Sequence, residues 1–452
     1  MLKRDELNVL KRDELNVLRR DELTVWRRLL LLLILLAPLR VGLITAQTDS
    51  KQSALIPMPT VSDSVAMAFF EELGVPITTG NHVELFFNGH DKFEDLFSAI
   101  RQARHHIHLE YFNFRNDSIA NALFDLLAEK AHEGVKVRAL FDAFGNSSNN
   151  RPLKEHHLKS IEERGIEIVK FDPITFPWIN HAMHRDHRKI VVIDGRVGYT
   201  GGMNIADYYI HGLPELGQWH DIHMRITGGA VAQLQGIFLT MWNRETGQHI
   251  GGPEYFPPLV SDHPGSLPPT DSQIAIVDRV PKETPRNISH SYSACIAAAQ
   301  HHIQIVNPYF VPTRSIRKAI KQALKQGTRV EIMIPSKSDI PFTPEASFHV
   351  AHKLMKRGAE IYLFDGGFHH SKIMMVDSTF CTVGTANLNS RSLRYDYETN
   401  AFIFSPATTQ ELNAMFEADK LQSTRMTPAY WKRRSGWKKF VGWLGNLLTP
   451  FL

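Results

Sequence analysis

The sequence predicts an α/β fold built twice, with the two copies meeting over one shared site. Three observations carry this expectation. Strand-like and helix-like runs alternate from about Asn81 to Gly252. The same runs return in the same order about 190 residues later. A short polar motif, His-x-Lys-x4-Asp, occurs once in each copy.

Composition sets the frame. The chain has 452 residues, 43% hydrophobic and 22% charged, as in an ordinary globular protein. A mean hydropathy of −0.22 excludes a polytopic membrane protein. The net charge of +4 is too weak for a dedicated duplex-binding protein and suits an anionic substrate or surface. Two cysteines, Cys295 and Cys381, build neither a disulfide framework nor a cysteine zinc site. The 23 histidines are the unusual feature.

Taken in order, residues 1–48 hold an octapeptide repeat (KRDELNVL, KRDELNVL, RRDELTVW) and then an apolar segment, Leu29–Ala46, behind Arg27 and Arg28. The strictly apolar part, Leu29–Leu39, would span about 16 Å as a helix, roughly half a bilayer core. If Arg40 snorkels, the segment reaches across. It is expected to be a membrane anchor or signal, with a buried helix as the alternative.

The first copy is placed at 49–252. His106–Phe114 reads as a strand. Ile119–Gly134 reads as a helix with a glycine stop, and Val135–Asp142 and Ile166–Phe171 as further strands. That order implies a mostly parallel or mixed sheet. A proline-rich linker follows at 253–270, where proline resists both helix and sheet. The second copy is placed at 271–426. RHHIHLEYF at Arg104 returns as QHHIQIVNPYF at Gln300, EGVKVRALF at Glu133 as QGTRVEIMI at Gln326, and RGIEIVKFD at Arg164 as RGAEIYLFD at Arg357. The tail, 427–452, combines Trp431, Trp437 and Trp443 with Lys432, Arg433, Arg434, Lys438 and Lys439. From Phe440 its apolar residues fall at helical spacing. That describes a helix lying on anionic lipid, or else one packed on the domain.

The two motifs carry the chemistry. His187-Arg-Lys189-Ile-Val-Val-Ile-Asp194 is followed by Gly201-Gly202-Met-Asn204. His370-Ser-Lys372-Ile-Met-Met-Val-Asp377 is followed by Gly384-Thr385-Ala-Asn387, with Gly and Asn at identical offsets. On a strand, His and Lys two apart share a face. The apolar runs after them suit a strand buried on both sides, with each Asp at a turn. Such a set can perform phosphodiester chemistry without a metal. One imidazole attacks phosphorus and a second moves the proton. Lysines and asparagines hold the phosphate oxygens, and a carboxylate fixes each ring. Neither copy has both histidines, so the copies must face each other. His181, His184 and His187 also admit a metal cluster, but that run leads directly into the strand motif.

These residues resemble the phospholipase D superfamily, whose signature is the duplicated motif with its Gly and Asn. HIHLEYFNFRND (His106–Asp117), GGMNIADYY (Gly201–Tyr209), WHDIHMRITG (Trp219–Gly228), NPYFVP (Asn307–Pro312) and TANLNSRSL (Thr385–Leu393) look like bacterial cardiolipin synthases. The resemblance implies two phospholipase D-like α/β sandwich domains with one active site and no cofactor. It implies conversion of two phosphatidylglycerols into cardiolipin and glycerol through a phosphohistidine. His187 would be the nucleophile and His370 the acid and base, with Lys189, Lys372, Asn204 and Asn387 on the phosphate. Asp194 and Asp377 would support the site. Gly202, Thr385, Glu110 and Glu398 are further candidates for substrate contacts. The partners implied are phosphatidylglycerol and anionic membrane lipid, not nucleic acid, at the bacterial inner membrane. One apolar segment where the family often has two leaves the side of the membrane open. The rival readings are a hydrolase or nuclease that uses water as acceptor, and a silent membrane scaffold.

Overall fold

The computed structural model describes residues 62–173, 183–258, 272–340 and 343–447. The octapeptide repeat, the Leu29–Ala46 segment, His181, residues 448–452 and most of the proline-rich linker lie outside the described residues. No described helix is long and apolar enough to cross a membrane.

The first half contributes β1 (Ile77–Phe86), β2 (His106–Tyr111), β3 (Lys136–Asp142), β4 (Glu167–Phe171), β5 (Lys189–Ile193), β6 (Val197–Gly201), β7 (Trp219–His220) and β8 (His223–Thr227). The second contributes β9 (Ser272–Arg279), β10 (His302–Val306), β11 (Arg329–Pro335), β12 (Glu360–Phe364), β13 (Phe368–His369), β14 (Ile373–Val376), β15 (Phe380–Gly384), β16 (Glu398–Phe404) and β17 (Ser423–Arg425). Outward from the centre, the first half runs β1-β8-β6-β5-β2-β3-β4. The second runs β9-β16-β15-β14-β10-β11-β12, with β17 at its outer edge. The order is the same twice. Antiparallel pairing of β1 with β9, Ile77 opposite Ala275 and Thr78 opposite Ile274, joins the halves into one fifteen-stranded sheet.

Each strand forms for a local reason. HIHLEY, KIVVI and IMMV are buried along their whole length, as continuous runs covered on both faces should be. β2, β3 and β4 pair in parallel, with the helices Ser118–His132 and Glu155–Glu162 as crossovers. The first of these helices starts where Asp117 accepts the Ala120 N–H and ends ahead of Gly134, whose φ of 93° continues the chain out of the helix. β5–β6 and β14–β15 are hairpins. Their turns need two left-handed residues in a row: Asp194 and Gly195 (φ 53° and 65°), and Asp377 and Ser378 (φ 50° and 58°).

The tail helix, Gly436–Leu447, has two faces. One lies against the helix Thr343–Met355. A side chain at Gly442 would meet the Glu345 carbonyl at 2.4 Å, and one at Gly445 would meet Ala346 at 3.0 Å. Ahead of it, Trp431 stacks on His352 with ring centroids 3.9 Å apart. The other face carries Trp437, Phe440, Trp443, Leu444 and Leu447, all exposed, with Trp437 at 70%.

Candidate active site

The motif residues sit just ahead of their strands. Ladder pairing begins only at Lys189 and Ile373 because the residues before them pair with the opposite half. The His187 N–H donates to the Tyr397 carbonyl at 3.0 Å, and the His370 N–H to the His220 carbonyl at 2.6 Å. β13 runs parallel to β7, Phe368 beside Trp219 and His369 beside His220, which fixes the second of these approaches.

The side chains cross in the same way. His187 Nδ1 lies 3.0 and 3.1 Å from the two oxygens of Glu398, which opens β16 in the second half. His370 Nδ1 lies 2.7 Å from Asp221 Oδ2, just before β8 in the first half. Each histidine is thus held by the other half twice. Its backbone N–H meets the residue before the carboxylate, and its ring meets the carboxylate itself. With Nδ1–H donated to a carboxylate, each ring presents the Nε2 lone pair.

The lysines fold back on their own motifs. Lys189 Nζ donates to the His187 carbonyl at 2.6 Å. Lys372 Nζ donates to the His370 carbonyl and lies 2.9 and 3.1 Å from that ring's nitrogens. Lys189, His370 and Lys372 are buried and His187 is partly buried, and each lysine's charge reaches both rings. Burial lowers His187, and Glu398 opposes the shift. Burial pushes His370 down to about 3, the Lys372 charge adding to it against Asp221. Burial brings Lys189 down to about 7 and Lys372 to about 8. Burial alone would raise Glu398, but His187 and Lys189 outweigh it and hold the carboxyl low. At neutral pH the site therefore has two neutral imidazoles, a tautomer-fixing carboxylate on each, and a positive field meant for an anion.

Asn204 and Asn387 follow in matching places. Both are buried, and both leave a side-chain Oδ1 without a hydrogen-bond partner. The Asn204 NH2 donates to the Tyr209 hydroxyl at 3.4 Å, and the open Oδ1 of each amide is an acceptor; exchanging the amide's O and N, which have the same shape, turns an N–H toward the site in its place.

Some sequence expectations are corrected. Asp194 and Asp377 are not at the site. Asp194 caps the start of β2, accepting the N–H groups of Arg104, His105 and His106 at 2.8–2.9 Å. Asp377 does the same for Gln300, His301 and His302 at 2.7–2.8 Å. Each Asp lies five positions beyond its lysine, about 16 Å along extended chain, so neither reaches the phosphate. Glu110 meets neither histidine; it accepts from Arg188 at 3.3 Å, and burial together with the neighbouring Asp186 raises its carboxyl well above the usual range. Gly202 and Thr385 act on the carboxylates. A side chain at Gly202 would meet Asp221 Oδ1 at 2.1 Å, and the Thr385 hydroxyl donates to Glu398. Sequence reasoning missed Asp221. Its signal was an acid heading the last strand of the first half (DIHMRIT), as Glu398 heads its counterpart (ETNAFIF). His184 turns to the Tyr395 carbonyl at 2.8 Å, and no metal-holding cluster occurs among the described residues.

One cleft between duplicated halves, with paired imidazole–lysine sets, defines a phosphodiester-processing enzyme of the phospholipase D kind. The comparisons agree. Residues 96–242 and 292–420 match the family model described as cardiolipin synthase, phospholipase D-like domain. The chain is 38% identical over 382 residues to a cardiolipin synthase of Listeria innocua, covering 84% of this chain and 77% of the relative. It is 36% identical to one of Staphylococcus aureus, covering 83% and 74%. Its fold is similar to the crystal structure of a phosphatidylserine synthase from Haemophilus influenzae (TM-score 0.63, 15% identity, 86% of this chain and all of that one). The chain belongs to the cardiolipin synthase family of the phospholipase D superfamily.

Proposed function

We propose that the protein is a cardiolipin synthase that transfers a phosphatidyl group from one phosphatidylglycerol to another at the cell membrane. The crossed arrangement of His187–Glu398 and His370–Asp221 carries the reading, because it gives one site two imidazoles of fixed tautomer. His187 Nε2 attacks the donor phosphorus. The bond to the departing glycerol oxygen breaks, and His370 supplies that oxygen's proton. The hydroxyl of the second phosphatidylglycerol then returns a proton to His370, and its oxygen displaces His187. Cardiolipin leaves and the enzyme is restored.

His370 must be protonated for the first step, although burial and Lys372 keep it neutral in the free protein. An entering phosphodiester brings a negative charge. It draws Lys189 and Lys372 onto its oxygens and raises the imidazole's affinity for a proton. Lys189, Lys372, Asn204 and Asn387 then hold the charge that grows in the transition state, where one such donor contributes ~3 kcal/mol. The exposed stripe Trp437–Leu447 beside a basic segment suits attachment to anionic lipid.

The test is lipid product analysis in a host that lacks cardiolipin. Expression of the wild type should yield cardiolipin, and H187A none. Release of phosphatidic acid in its place would make water the acceptor and overturn the transferase reading.

A further inference from the structure

A cavity of about 170 Å3 opens between the helix Arg314–Lys325, the short helix Ser390–Arg394 and the end of the tail helix. Neither motif histidine nor motif lysine is among its lining residues. Arg314, Arg317 and Arg394 line it, together with Ser390, Asn446 and Leu447. The three guanidiniums have no carboxylate partner among the described residues, whereas nearby Arg391 is paired with Asp396 at 3.2 Å. Arg317 is half-buried and donates to Asn446 at 3.1 Å. Burial, and then the charge of Arg314, lowers its hold on its proton. Three cations gathered around a cavity, with no carboxylate partner among the described residues, repel one another, and an anion in the cavity relieves that repulsion. Guanidinium forks match the oxygens of a phosphate.

We propose that this cavity binds the phosphate of an anionic phospholipid, distinct from the lipid phosphate processed between His187 and His370. An amphiphile fits better than a free ion because of what adjoins the charge. Asn446 and Leu447 are the last described residues of the tail helix, and Leu447 belongs both to the cavity wall and to the exposed apolar stripe. A headgroup in the cavity leaves acyl chains to run along Leu444, Trp443 and Phe440. The cavity also sits beside the chemistry. Ser390 follows Asn387 by three residues, so their Cα atoms are at most about 11 Å apart. A lipid held here turns the catalytic mouth toward the layer that supplies its substrate.

The test uses the full chain in neutral detergent, carrying H187A so that no turnover occurs during titration. Short-chain phosphatidylglycerol is titrated while tail tryptophan fluorescence is followed. Adding R314A/R394A, both exposed positions, should raise the half-saturating concentration about tenfold, as expected for loss of charge-assisted contacts. K318A/K325A removes the same charge from the helix that carries Arg314, outside the cavity, and should shift it less than about twofold. Equal weakening by both pairs, or none by the arginine pair, would overturn the site. Inorganic phosphate saturating the signal as readily as the lipid would overturn the lipid assignment. The proposal extends the synthase reading but fails separately from it: if the wild type makes no cardiolipin, the synthase reading falls and this titration is unaffected.

Discussion

The two halves share a strand order and a motif, yet they treat their histidines differently. His187 is held by the longer Glu398, which sets both its oxygens against the ring's Nδ1 and is itself met by the Thr385 hydroxyl. His370 is held by the shorter Asp221, and at the position matching Thr385 stands Gly202, where any side chain would collide with that carboxylate. Lys372 lies against its own histidine ring, whereas Lys189 bonds only the carbonyl of His187. Duplication has produced two related but unequal bases. The His187 ring is free of a lysine contact; His370 is held neutral first by burial and then by the Lys372 charge beside it.

The sharpest way to break this comparison is an activated donor whose leaving group needs no proton, such as a nitrophenyl phosphodiester. H187A should lose turnover by about 10⁴-fold or more on any donor. H370A should lose as much on phosphatidylglycerol but still release a burst of nitrophenol. A burst from H187A and none from H370A would exchange the two roles. Next come the carboxylates. E398Q and D221N should each lower kcat about 10²- to 10⁴-fold, since a wrongly fixed tautomer withholds the Nε2 lone pair. A loss in one and not the other would mean that only one ring depends on its partner.

A smaller effect concerns pH. Lys189 and Lys372 titrate at about 7 and about 8. Both are cations below those values and neutral above them, so the free enzyme loses its hold on an anionic headgroup as pH rises. A plot of kcat/KM should fall on its alkaline side between about pH 7 and 8. A flat profile to pH 9 would exclude the lysines as the phosphate's counter-charge. The smallest effect is structural. G195A places a side chain 2.5 Å from the Tyr255 carbonyl at a φ of 65°, and should lower stability by about 1–3 kcal/mol. The matching position in the second half already bears Ser378, and S378A should change stability by less than about 0.5 kcal/mol in denaturant titration.

Much of this was legible in the sequence because it is local. The strands β2, β3 and β4, their repeats and the two hairpin turns follow from runs of a few residues. The motif histidines and lysines could be found from spacing alone. The carboxylates could not. Glu398 and Asp221 reach the site only through pairing between halves, 211 and 149 residues from the rings they hold. Asp194 and Asp377 were misread for the opposite reason. They stand in the motif by sequence, but the extended chain carries them to the far end of the strand. There, three backbone N–H groups claim each carboxylate.

The crossed carboxylates have a consequence for how the enzyme can move. Any jaw-like parting of the halves would unhook both rings at once, and the central β1–β9 seam would have to tear with it. Catalytic alignment is therefore set when the chain folds and is not assembled anew at each turnover. Substrate must therefore enter and leave without the halves parting.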